Sequence, residues 1–301
     1  MALQKGGTKP KTEPAKKQTT GKALAPVSRG AVAVPDDLAA QILKDAQSGV
    51  QTFKQDDLSI PFLRVLQQLS PQVDRRHEAY VEGAEEGMFL NTATNELWDG
   101  EKGIHVVPIF YTPSFIEWKL REKGGGMVRD WGADASVLAR TERDEKNRNI
   151  ITDNPDHQIV QSGLYFVFVV DPSTGAYQEL AFPLQGMQLK KSRRWNTLIK
   201  TWLTEVPGAD RPINPAPFFG VYHITSVYES NEQGKWFGVT ITRAKNEDGS
   251  DMKTIELPNG YDIYRAASQY REMVAAGRVK VKHEAEEAEY EVEDEAGDKA
   301  F

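Results

Sequence analysis

The alternation of apolar and polar positions changes character several times along this chain, and each change marks an element. Leu38, Ile42 and Ala46 recur at helical spacing after Asp36 and Asp37, and Gly49 stops them, which predicts a short amphipathic helix. From Leu58 onward the period shortens to that of strands. Phe62–Leu69 is a strand bounded by Pro61 and by Ser70-Pro71. Met88–Thr92 and Glu96–Trp98 read as two strands around a tight turn. Ile104–Tyr111 is a strongly apolar strand, and Phe115–Leu120 resumes it after a break at Pro113. Ile159–Asp171 and Tyr177–Phe182 form a hairpin across a Pro-Ser-Thr-Gly turn. Phe218–Glu229 and Lys235–Ala244 form another across the turn Ser230–Gly234.

Two helices stand out. In Met187–Val206 the residues Trp195, Leu198, Ile199, Trp202 and Leu203 share one face. Tyr261–Ala276 is the second, ended by Gly277. Residues 121–157 hold three successive glycines and a long polar run, which reads as a long loop or insertion. Strands joined as hairpins, with few helices, argue for one mainly β (α+β) domain over residues 36–278 and against an alternating βαβ sheet.

Charge divides the chain differently. The formal net charge is −7. Residues 1–30 carry seven Lys/Arg against Glu13, or +6, and residues 284–301 carry nine Asp/Glu against Lys299, or −8, leaving −5 on the body. Residues 1–35, rich in Lys, Gly, Thr, Pro and Ala, hold too little apolar surface to offset the entropy of ordering. They are read as a disordered basic arm, and residues 279–301 as a disordered acidic tail. Opposite charged ends of this kind suggest interaction segments. No apolar run reaches the roughly 20 residues of a membrane-spanning helix, so a cytoplasmic protein without membrane contact is expected.

Chemistry is sparse. The chain has no cysteine, which excludes disulfides, thiol catalysis and Cys-based metal sites. Neither G-x-x-x-x-G-K-[ST] nor G-x-G-x-x-G occurs. The five histidines are scattered at no metal-binding spacing, and neither cofactor nor metal is expected. Asp99, followed by Glu117-Trp118-Lys119, has the loose form of a Mg²⁺-dependent nuclease, in which two acids hold the ion and the Lys steadies hydroxide. A turn Asp and two outward strand residues explain the same letters, and a non-catalytic protein is the better reading.

Aromatic and basic residues interleave more suggestively. Tyr111, Phe115 and Trp118 lead into Lys119, Arg121 and Lys123, while Lys190, Lys191, Arg193 and Arg194 crowd the start of the first long helix. Cations that follow phosphates and rings that stack on bases are how single strands are held. A basic first turn also opposes the helix dipole, which hints at a purpose such as phosphate contact. The competing expectation is that strand aromatics are core, and that Trp195 belongs to the apolar face of its helix.

The tail ends Glu293-Asp294-Glu295-Ala-Gly-Asp298-Lys-Ala-Phe301. A terminal aromatic ring and α-carboxylate behind an acidic tether would fit a partner's apolar pocket with a basic rim. This layout resembles the single-stranded DNA-binding proteins of bacteriophages and bacteria, and most closely the T7-type phage group, whose last residue is Phe. The stretches Ile60-Pro61-Phe62-Leu63-Arg64-Val65-Leu66-Gln67, Gly87-Met88-Phe89-Leu90-Asn91-Thr92, Trp98-Asp99-Gly100-Glu101-Lys102-Gly103 and Val106-Val107-Pro108 also resemble a widespread phage protein type described as single-stranded DNA-binding.

The resemblance implies an OB-like antiparallel β-barrel with helical decorations and a role in phage DNA replication or recombination. It also implies contacts from the tail to a polymerase or helicase-primase in the host cytoplasm. Lys299 and Ala300 depart from the usual all-acidic ending, and a body of −5 requires a local basic groove. An oligomeric strand-annealing or assembly protein is the other non-enzymatic reading, since two charged ends fit a homo-oligomer as well as partner recruitment.

Overall fold

Two long antiparallel strands organise the fold: β4 (Ile104–Lys119) and β8 (Asn154–Val170), paired from His105↔Val170 to Lys119↔His157. The computed structural model describes residues 60–231, 234–279 and 281, all within one compact unit, Phe53–Phe301. The basic arm, the helix expected at 36–49 and the acidic tail, with Glu293, Asp294, Glu295, Asp298 and Phe301, lie outside the described residues.

At one end of the long pair, β9 (Tyr177–Gln185) adds to β8 and β10 (Tyr222–Asn231) adds to β4. The strand β11 (Gly234–Arg243) pairs with β10 over its whole length. The resulting order is β11-β10-β4-β8-β9, an antiparallel sheet curled into a half-barrel. At the other end, β5 (Met127–Asp130) pairs with β4, and β7 (Asn149–Ile151) links β8 to β6 (Thr141–Arg143). A separate three-stranded sheet, β1 (Leu63–Val65), β2 (Phe89–Asn91) and β3 (Leu97–Trp98), joins β9 through a parallel bridge between Phe62 and Ala181.

The continuous apolar run Leu164–Val170 is explained by cover on both faces of β8. On the inner face, Ile104, Val106, Tyr165, Val167, Leu180, Phe182, Tyr222 and Val239 close around Trp195 of helix α1 (Leu189–Lys200). On the outer face, Val107, Ile109, Phe166 and Phe168 pack under helix α2 (Gly260–Ala275) through Ile263, Ala267 and Tyr270. The helix α1 follows β9 and lies beside the free edge of β11. There Gln188 Oε1 accepts from Val239 N–H at 3.3 Å, and Arg243 donates to the Leu198 carbonyl at 3.1 Å. Gln67 meets both backbone groups of Phe237 at 2.8 and 3.0 Å. These side chains occupy positions on that edge where another strand would pair.

Four expectations need correction. Pro113 does not break the strand. Phe115 exchanges backbone bonds with Trp131 and Gly132, so Pro113, two residues earlier, turns its missing N–H to an edge where no strand pairs. The irregularity falls instead at Ile109, which has no register partner between Pro108 and Phe110. Residues 121–157 are a β-structured arm: β5, β6, β7 and 3-10 turns surround a small core of Phe115, Val137, Ile151 and Ile159. The first helix stops at Lys200, where Asn214 Nδ2 takes up the carbonyls of Ile199 and Trp202, leaving Leu203 exposed. The strand expected at Phe62–Leu69 covers only Leu63–Val65.

Candidate nucleic-acid interface

The helix α1 has a buried side, Ser192 and Trp195, and an opposite side carrying Lys190, Arg193, Arg194 and Lys200. These four cations are exposed, and none forms an ion pair with a described residue. Helical rise spreads them over about 15 Å. No acid sits in the first turn of α1, so a cationic N-terminus meets the positive end of the helix dipole.

Relief comes from another strand. Glu229 of β10 accepts from Lys191 Nζ at 2.7 Å, Trp236 Nε1 at 2.9 Å and Gln188 Nε2 at 3.2 Å. Burial alone would raise the Glu229 carboxyl, but these donors outweigh it and hold it below the ordinary range. Lys191 is therefore spent on tying the β10–β11 hairpin to α1. Among the expected α1 contacts it differs from Lys190, Arg193, Arg194 and Lys200 by this half-buried ion pair.

Tyr111 is the one expected stacking residue that reaches the surface, with 40% of its area exposed. It stands opposite Tyr165 in the ladder, with ring centroids 4.9 Å apart. Tyr165 stacks in turn on Trp195 at 4.2 Å. The Tyr165 hydroxyl lies within 2.9–3.0 Å of the Ser192 hydroxyl, the Ser192 carbonyl and Asn196 Oδ1, and burial keeps it protonated by raising its pKa. The ladder Tyr111–Tyr165–Trp195 thus ends on the basic helix. Gly163 makes this approach possible: a Cβ there would stand 2.4 Å from Ser192 Oγ and 3.2 Å from Tyr111 Cε2.

Phe115 and Trp118 are not available for stacking. Each is only 2% exposed, because β4 is covered on both faces where the arm joins it. Lys119, Arg121 and Lys123 lie beyond them at the arm, about 26 Å along β4 from Tyr111 at strand rise. Lys123 pairs with Asp156 at 3.1 Å, and Arg148 joins Glu122 and Asp144 beside them. The expected cations therefore form two groups. The group on α1 has free charge, and the group on the arm is interleaved with acids.

The arm also carries a feature that the sequence did not reveal. Arg129 lies 3.9 Å over the half-buried Trp131 ring, and Arg140 approaches the same ring at 5.8 Å. Trp131 Nε1 donates to Glu117 at 3.0 Å. Trp131 and Arg140 are 14 and 23 positions from Glu117, and no local period links them.

The nuclease constellation is not assembled. Asp99 closes its own turn by accepting from the N–H groups of Glu101 and Lys102. Glu117 is buried and engaged by Trp131 and by His157 Nδ1 at 2.6 Å. Between Ile104, which follows the Asp99 turn, and Glu117, β4 advances roughly 40 Å. Among the described residues no group of three or more His, Asp or Glu could hold a metal ion. No helix among them is long and apolar enough to cross a membrane.

A family model described as Pam3 phage gp34-like protein matches residues 28–280. No curated protein and no solved structure matches.

Proposed function

This chain belongs to the Pam3 phage gp34-like family of bacteriophage proteins, and on that premise we propose that it binds single-stranded DNA without catalysis. Two observations carry the reading, an exposed ring on β4 and a row of exposed α1 cations that form no ion pair with a described residue. Tyr111 offers a flat face at one end of a packed aromatic ladder, and Lys190, Arg193, Arg194 and Lys200 extend from the other. An unpaired base can stack on such a ring while phosphates follow the helix. A duplex hides the faces of its bases and could use only the cations.

The topology supports an oligonucleotide-binding barrel. In chain order the half-barrel reads β4, β8, β9, α1, β10, β11, five strands around an open side that α1 fills. In that architecture the loops between strands one and two, and between four and five, flank the oligonucleotide. Here the first position is occupied by the arm with Arg129 and Trp131, and the second by the tip of the β10–β11 hairpin. The outer face of β8 and β9 lies under α2, so the strand of DNA is assigned to the side of α1 and Tyr111.

In this account the protein serves phage replication or recombination in the host cytoplasm. Its acidic tail recruits a polymerase or helicase-primase and competes with DNA for the α1 cations. Tail deletion that leaves affinity unchanged at low salt contradicts that competition. The site itself is tested by photocrosslinking bromodeoxyuridine oligomers to the full chain and sequencing the adducts. Adducts on Tyr111 or on α1 peptides support the assignment. Adducts confined to the α2 surface overturn it.

A further inference from the structure

The register between β4 and β10 sets two histidines side by side. The pair His223↔His105 lies between Tyr222↔Val106 and Ile224↔Ile104. Ser226 N–H donates to the Gly100 carbonyl on the β4 side. Residues two apart point their backbone groups the same way, so Ile224 and Tyr222 also turn theirs to β4. His223 and His105 therefore form a non-hydrogen-bonded pair, the kind that brings side chains closest. Both rings are half-buried, with centroids 5.1 Å apart.

One ring is already aimed. His223 Nε2 lies 2.8 Å from the Lys102 carbonyl, which can only accept. Nε2 therefore carries the proton, and Nδ1 keeps its lone pair in the neutral ring. Gly103 makes room for this contact. Its φ is +72°, and a Cβ there would stand 2.8 Å from His223 Nε2 and 2.4 Å from the Ile224 carbonyl oxygen. His105 forms no hydrogen bond with a described residue, so its neutral ring also has a lone pair to give. Asp171 places negative charge near His105, but its own oxygens accept from Ser173 and Thr174. The exposed Thr242 stands opposite His223 on the far side of the pair.

We propose that His105 and His223 together bind a late first-row divalent cation such as Zn²⁺, which braces β4 against β10. Two imidazoles on one tetrahedral ion, each at a Zn–N distance of about 2.1 Å, place their ring centres about 5 Å apart. The two rings already stand at that spacing. A backbone carbonyl on the remote ring nitrogen is the usual support of a metal-bound histidine, and Lys102 supplies it to His223. Imidazole nitrogens favour such ions over Mg²⁺ and Ca²⁺, which take oxygen ligands. Water fills the remaining positions. His105 shares the outer face of β4 with Val107, so the site stands apart from Tyr111 and α1 and does not rest on DNA binding.

Calorimetry on the chelator-treated full chain at about pH 7.5, where imidazole is neutral, tests the proposal. Wild type should bind Zn²⁺ and ignore Mg²⁺. With zinc about tenfold above its dissociation constant, the thermal midpoint should rise by about 3–6 °C. His105→Asn and His223→Asn should each weaken zinc by more than the about tenfold loss typical of removing a supporting hydrogen-bond partner. His77→Asn should leave the affinity unchanged. Metal-free midpoints show that each variant is folded. Electron paramagnetic resonance of Cu²⁺ on the wild type tests the pair without substitution, and should show coupling to two nitrogens. Absence of zinc binding, equal affinity in the His105→Asn/His223→Asn double variant, or coupling to a single nitrogen overturns the proposal.

Discussion

Tyr111 and Tyr165 face each other across β4 and β8 with ring centroids 4.9 Å apart, yet Tyr111 is 40% exposed and Tyr165 is fully buried. The pair divides labour between binding and support. Tyr111→Ala removes a stacking face and is expected to weaken binding of single strands by about 1–3 kcal/mol, with little change in stability. Tyr165→Phe leaves the rings in place but strands Ser192 and Asn196, which is expected to cost about 1 kcal/mol of stability. Binding titrations and urea midpoints on both variants separate the two effects.

The five cations on α1 separate in the same way. Substituting Lys190, Arg193, Arg194 or Lys200 by Ala should flatten the dependence of log Kd on log salt by about 0.7 for each phosphate no longer neutralised. Lys191→Ala should leave that slope nearly unchanged. Its charge already meets Glu229 at 2.7 Å, so the loss should appear in thermal stability instead. A salt slope that falls equally for all five would contradict this division.

Trp118 tests the arm. It is 2% exposed on a strand covered on both faces. Trp118→Ala is expected to destabilise the protein by about 3–5 kcal/mol, read from denaturant midpoints. Any loss of DNA binding should follow unfolding and disappear when measured on the folded fraction.

His105 lies opposite His223, with ring centroids 5.1 Å apart. Burial first, and then the neighbouring imidazole, lower the His105 pKa below 6.5, with Asp171 pulling weakly the other way. The unfolded chain therefore takes up the proton more readily. This contribution to stability is complete above pH 6.5 and is lost as pH falls through that value toward the folded pKa. Thermal midpoints should drop between about pH 7.5 and pH 5.5, and His105→Asn should shallow that drop.

Much of the frame was legible in the chain. The hairpins β8–β9 and β10–β11 announced themselves by apolar runs and turn residues, and α1 and α2 by their helical periods. The arm was not, because β5, β6 and β7 have only three or four residues each and show no period within a polar stretch. Pro113 looked like a break because a sequence does not say which edge of a strand is unpaired. Phe115 and Trp118 looked like platforms because a strand can leave a face exposed, whereas Ser114–Trp118 are all buried where the arm joins β4. Lys191 looked like its neighbours because its partner Glu229 lies 38 residues away. Tyr111 and the remaining α1 cations were legible as types. The approach of Tyr111 to Ser192 of α1 at Gly163 was not, since it depends on the curl that brings α1 against β8.

The most direct test is fluorescence anisotropy of a labelled oligo-dT of about 30 nucleotides and its matching duplex across a salt series, with wild type and an Arg193→Glu/Arg194→Glu variant. The account predicts tight, salt-sensitive binding to the single strand, much weaker binding to the duplex, and loss of the single-strand affinity in the variant while its thermal midpoint holds. Equal affinity for strand and duplex, or full single-strand affinity in the charge-reversed variant, would contradict it.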